Sequence, residues 1–145
     1  MPLATIRHSA SAAAPPGDIW AALQAAEIWA GIGLINATSD GHLNDEGHLA
    51  SFRFTTSAGG RTWEGTAKRA ASTPGEQIEF TLMTKEFRGR ISIDLAPEAD
   101  QTLMTVRLEA ESSVMPATLF WGIVREVITS GLDRRVDQLA AGFAA

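Results

Sequence analysis

The sequence predicts an α+β domain: a curved, seven-stranded antiparallel sheet wrapping a long C-terminal helix, with two short helices after the first strand. Three observations carry this. Turn formers recur between short stretches of alternating apolar and polar residues, as consecutive hairpins require. The stretch from Pro116 to Phe143 is apolar at spacings of three and four, as one amphipathic helix requires. The strands come first and the long helix last, so the helix can close the concave side of the sheet and leave space for an apolar ligand.

The first strand runs from Leu3 to Ala12, with Ile6, His8, Ala10 and Ala12 on one face. Pro15, Pro16 and Gly17 stop it. Proline suits a first helical turn and Asp18 favours the helix dipole, so a short helix runs from Pro16 to about Leu23. A second covers Ala25 to Ala30. A strand is expected over Ile32 to Ser39, followed by a hairpin loop over the turn formers Asp40 to Gly47. His48 to Thr56 alternates with Phe52 and Phe54 on one face, and Arg61 to Ser72 with Trp63, Gly65, Ala67 and Ala71. Thr73-Pro74-Gly75 is a turn, since proline presets φ and glycine follows it. Gln77 to Thr84 turns Ile78, Phe80 and Leu82 inward, and Phe87 to Leu95 turns Gly89, Ile91 and Ile93 inward. Ala96 to Asp100 is expected to be a loop. Gln101 to Ser112 then turns Met104, Val106, Leu108 and Ala110 inward. In the last helix the apolar stripe passes through Phe120, Val124, Val127 and Gly131, then shifts to Leu132, Val136, Leu139 and Phe143. Its two halves therefore face different surroundings.

The 145 residues suit one domain, 1–145, which buries roughly 70% of its unfolded surface without help from a disulfide or metal. The absence of cysteine removes thiol chemistry and fits a cytoplasmic protein. A net charge of −5 with few adjacent basic residues argues against nucleic acid as a partner. No apolar run reaches the ~20 residues of a membrane-spanning helix, and the N-terminus lacks the apolar core of a signal peptide. His42, His48, Asp40, Asp45 and Glu46 match no compact metal motif, so no metal and no cofactor are expected.

The segment Ala14-Pro15-Pro16-Gly17-Asp18-Ile19-Trp20-Ala21-Ala22-Leu23, with Trp29 and Leu95-Ala96-Pro97, resembles the START-like (SRPBCC) superfamily. This is the Bet v 1-like helix-grip group that includes polyketide cyclase/dehydrase-like proteins. The resemblance spans essentially the whole chain, but its motifs are short and structural. It implies one strand, two short helices, six strands and one long helix. It also implies one of several roles: binding of a lipid, polyketide or aromatic compound, a cyclase activity, or a cochaperone-like interaction. The group shares no invariant catalytic set, so the resemblance carries over a cavity and no catalytic residue.

The expected wall of that cavity comprises Phe52, Phe54, Trp63, Phe80, Leu82, Ile91, Met104 and Val106 from the sheet, with Phe120, Val124, Val127 and Gly131 from the helix. Each is equally suited to ordinary core packing. The small inward residues Gly65, Ala67, Gly89 and Ala110 are expected to leave room. His8, on the inward face, is either a satisfied structural residue or an acid/base group. Arg69, with the parity of Trp63 and Ala67, either reaches solvent or meets a ligand carboxylate. Asn36, Thr38 and Ser112 are further polar candidates. The leading expectation is a small hydrophobic molecule as partner. A polyketide cyclase/dehydratase using His8 or Arg69 is the alternative, and an interaction module docking through Arg88, Arg90, Arg107 and Glu109 is the second. A homodimer is compatible with all three.

Overall fold

The computed structural model describes residues 3–32, 35–58, 61–112, 118, 120–122, 125 and 132–143. Seven strands form one antiparallel sheet: β1 (Leu3–Ala12), β2 (Ala37–Leu43), β3 (Leu49–Ala58), β4 (Arg61–Thr73), β5 (Gln77–Met83), β6 (Arg88–Glu98) and β7 (Gln101–Glu111). Their order across the sheet is β1-β7-β6-β5-β4-β3-β2, so β1 and β2 are the two edges. Helix α1 (Pro16–Ala22) and a 3-10 helix (Ala26–Trp29) follow β1, and the C-terminal helix Leu132–Ala141 closes the chain. Thr118, Phe120–Gly122 and Arg125 are also helical.

Period-two alternation explains the sheet, because it places one apolar face towards the interior. Ile78, Phe80 and Leu82 of β5 are fully buried, as are Ile91 and Ile93 of β6 and Met104 and Val106 of β7. Register aligns these residues in rows. One row runs Phe52, Ala67, Leu82, Gly89 and Ala110, and the next runs Arg69, Phe80, Ile91, Leu108 and Ile6.

Helix α1 begins as its prolines require: Pro15 is extended at the cap and Pro16 occupies the first turn. Ile19, Trp20 and Leu23 are buried, and the Trp20 indole Nε1 donates to the Gln77 carbonyl at 3.0 Å, tying α1 to the start of β5. Trp29 is completely buried and its Nε1 donates to the Leu23 carbonyl at 2.9 Å.

Two expected boundaries are corrected. The second strand starts at Ala37 and continues to Leu43 instead of covering Ile32 to Ser39. Ile32 and Ile35 are buried, but they anchor a turn closed by Ile35 N to Ile32 O and Gly31 N to Ile35 O. Their burial there imitates a strand pattern. Asp40, at φ 51, and Gly41 form an irregularity that lets the strand pass through a turn-like sequence, and only Asn44–Gly47 turns. Likewise Ala96–Glu98 extends β6, leaving the two-residue turn Ala99-Asp100 with Ala99 at φ 56. Past Asp94, which pairs with Gln77, β6 has only β7 in ladder register. Proline is tolerated at such a local edge, so Pro97 fits.

Candidate functional site

The inner face of the sheet and the helix that crosses it bring most of the expected wall residues together. Phe52, Phe54, Trp63, Phe80, Leu82, Ile91, Met104, Val106 and Phe120 are all buried and belong to one apolar cluster. Val124, Val127 and Gly131 lie outside the described residues. Of the second apolar set on the helix, Val136 and Leu139 are buried and Phe143 packs against the cluster.

At the end covered by α1 and the 3-10 helix, three aromatic rings interlock. Phe80 meets Trp29 edge-on at 5.0 Å and Phe52 at 5.2 Å between ring centres. Such pairs add ~0.5–1.5 kcal/mol each beyond burial and fix the rings' positions. This end is a packed aromatic block. A second pair, Trp63 and Phe87, sits 5.8 Å apart.

The glycines do not leave the room expected of them. A Cβ on Gly65 would fall 2.6 Å from the Phe54 ring and from the Met83 carbonyl oxygen. One on Gly89 would fall 2.6 Å from the Glu109 carbonyl oxygen. Both positions are glycine because a ring or a neighbouring strand already occupies the space.

The polar candidates separate into engaged and unengaged groups. Ser112 Oγ donates to the Glu86 carbonyl at 2.5 Å, and Asn36 Oδ1 accepts from Ser57 N at 2.8 Å. Each of these side chains has a structural task. His8, opposite Val106, has Nε2 2.9 Å from Asp137 Oδ1 on the C-terminal helix. A carboxylate only accepts, so the imidazole carries its proton on Nε2 in this bond. Asp137 was not among the expected site residues. Its partner is 129 residues away, and the apolar spacing of the helix says nothing about it.

Arg69 differs. It lies opposite Phe80 in the inner row, just before the irregularity that leaves Ala70 unpaired between β4 and β5. Its Nη1 is buried, and among the described residues it is the one buried side-chain nitrogen or oxygen with no hydrogen-bond partner. A desolvated guanidinium nitrogen without an acceptor is costly. Register sets Arg69 and His8 apart, with β5, β6 and β7 between their strands. Four strand spacings amount to roughly 19 Å along the sheet.

The histidines and acids of the β2–β3 region do not converge on a metal site. The His48 ring packs edge-on against Trp20 at 4.6 Å, with Glu46 3.8 Å from its Nδ1. Among the described residues no group of three or more His, Cys, Asp or Glu could hold a metal ion. No helix among them is long and apolar enough to cross a membrane. On the outer face the expected docking charges pair with their own neighbours. Arg88 Nε lies 2.7 Å from Glu111, and Arg107 Nη2 lies 2.6 Å from Glu109.

No protein-family model matches the chain, and no curated protein matches it in sequence. Solved structures do match its shape. A START superfamily protein from Mycobacterium smegmatis is 18% identical, with a TM-score of 0.66 over 93% of this chain and 98% of its own. The Zhui aromatase/cyclase from Streptomyces sp. R1128 is 12% identical, with a TM-score of 0.68 over 95% and 94%. A protein from Thermus thermophilus is 13% identical, with a TM-score of 0.72 over 98% and 100%. With seven antiparallel strands in this order and a helix closing the sheet, the chain has the START-like, Bet v 1-like helix-grip fold.

Proposed function

We propose that this chain binds a small, largely apolar molecule between the inner face of the sheet and the C-terminal helix, with Arg69 holding a polar or anionic end of it. The observation that carries the reading is the buried Nη1 of Arg69, without a hydrogen-bond partner among the described residues, in an inner-face row beside Phe80, Ile91 and Leu108. A ligand oxygen, best of all a carboxylate, would supply the missing acceptor. Burying about 300 Å² of apolar ligand surface is worth roughly 7 kcal/mol. Association costs of several kcal/mol reduce this to about micromolar affinity. The Streptomyces neighbour of the same fold is named an aromatase/cyclase. A cytoplasmic setting belongs to the same proposal.

Titration with a fluorescent fatty acid such as cis-parinaric acid tests this, alongside native mass spectrometry of the purified protein. Wild-type protein should bind the acid, and Arg69→Met should weaken the acid much more than its methyl ester. Equal weakening of both, or no binding of either, sinks the reading.

A second reading, a polyketide cyclase/dehydratase-like activity, draws on the His8–Asp137 pair. A carboxylate that fixes an imidazole tautomer is one arrangement for general acid/base work. In that reading His8 moves the proton, and Arg69, four strands away, holds a distant oxygen of the chain and so positions it. His8→Gln and Arg69→Met should each abolish turnover of a poly-β-ketone substrate. Unchanged rates remove both residues from the mechanism.

A further inference from the structure

The net charge of this chain is localised. Residues 8–52 contain Asp18, Glu27, Asp40, Asp45 and Glu46 and no Lys or Arg. The remaining acids are balanced by the basic residues, so the whole formal charge of −5 resides in this one stretch. The acids of this stretch lie on α1, the 3-10 helix, the edge strand β2 and its turn into β3, and Glu27 and Asp40 among them border one groove.

The groove measures about 570 Å³, and its described lining residues all fall between Ala21 and Leu49. Ala21, Ala25 and Ala26 form one wall and Leu49, fully buried, lies beneath. Leu43 on the opposite wall is 60% exposed, the most exposed large apolar side chain among the described residues. Glu27 and Asp40, both exposed, border it. The walls are firmly built. Gln24 donates from Nε2 to the Trp20 carbonyl at 2.9 Å and accepts from Leu49 N at 2.8 Å. A Cβ on Gly41 would come within 3.1 Å of Ala26 Cβ, so strand and 3-10 helix meet closely.

We propose that this groove is a docking site for a short segment of a partner protein that carries alternating basic and apolar side chains. Its apolar side chains would lie on the alanine wall and Leu43, and its cations would face Glu27 and Asp40. Charge complementarity selects this occupant. An acidic segment, or the anionic surface of a membrane, would meet like charge. Strand addition by a second copy through β2 is disfavoured, because Asp40 at φ 51 and Gly41 have no partner in the β3 ladder and break the edge. Arg135 from the C-terminal helix reaches this stretch and is engaged with the carbonyls of Ala30 and Ile28 at 3.0 and 3.2 Å. Arg53, opposite Ser39 on β3, flanks the groove without lining it.

The test is an NMR titration of the full chain with an acetylated peptide of about eight alternating Lys and Leu residues. Its counterpart with Glu in place of Lys serves as control. The Lys peptide should shift the amides of Ala21, Ala25, Gly41 and Leu43, and the Glu peptide should not. The double variant Glu27→Gln/Asp40→Asn should weaken binding about tenfold and flatten its salt dependence. Asparagine tolerates the left-handed backbone at position 40, so the fold is kept. Leu43→Ser should weaken binding through the apolar arm alone, several-fold. The proposal is overturned by any of four results: no binding of the Lys peptide near ~1 mM, shifts that map elsewhere, undiminished affinity in both variants, or equal binding of the Glu peptide.

Discussion

The ring of Phe54 fills the space that a side chain at position 65 would take. A Cβ on Gly65 would lie 2.6 Å from Phe54 Cζ, and the Met83 carbonyl oxygen blocks it at the same distance. The aromatic ring on β3 and the missing side chain on β4 are thus one packing unit, paired directly across the ladder.

Gly65→Ala should therefore destabilise the protein by about 1–3 kcal/mol through overpacking. Phe54→Leu should relieve only part of this, since the carbonyl cannot move without disturbing β5. Gly17 in α1 meets nothing within 4 Å, so Gly17→Ala should go the other way, stabilising by about 0.5–1 kcal/mol. Urea melts of the variants check both signs.

Arg69→Met should leave the ligand-free protein as stable as wild type, or up to about 2 kcal/mol more stable. It removes a buried donor that has no acceptor and keeps the aliphatic stem. A loss of more than about 1 kcal/mol in a thermal melt would mean that the guanidinium supports the fold rather than a ligand.

The C-terminal helix is fastened on two sides. Arg135 donates to the carbonyls of Ala30 and Ile28, and Asp137 accepts from His8. Arg135→Met should cost about 1.5–3 kcal/mol, because charge-assisted bonds to carbonyls near the 3-10 helix are lost. It should also speed amide exchange over Leu132–Ala141. Unchanged exchange there would show that burial of Val136, Leu139 and Ala140 suffices to hold the helix.

The His8–Asp137 bond is the weaker fastener. Asp137 is 61% exposed, so solvent screens the pair. A double-mutant cycle with His8→Ala and Asp137→Ala should give a coupling of about 0.2–1 kcal/mol. A larger value would mark the pair as part of a more extended network.

Trp29→Phe should cost about 1–3 kcal/mol, leaving the Leu23 carbonyl without its buried donor while keeping most of the ring packing. Trp29→Ala should cost about 3–5 kcal/mol by opening the aromatic block. Chemical denaturation separates the two effects.

Alternation made β1, β4, β5 and β7 readable to within a residue or two, because a half-buried strand writes its burial into the sequence with period two. It misled at Ile32 and Ile35, where burial comes from a turn, and at Asp40–Gly41, where a strand tolerates turn formers. It also misled at Ala96–Glu98, where a local edge accepts proline. The aromatic wall residues were legible as inward-facing. The space between them was not: Gly65 signals close packing or open room equally well until Phe54 is seen beside it.

The order of elements, the inner and outer faces of the strands, the prolines that start α1 and the charge balance follow from the sequence by itself, since each depends on residues close together in the chain. Tertiary structure alone decided which distant groups meet. His8 meets Asp137, Arg135 meets Ala30, and Arg69 Nη1 meets no acceptor among the described residues. Such pairings depend on the curvature of the sheet and the path of the helix, which many residues set together and no local pattern records.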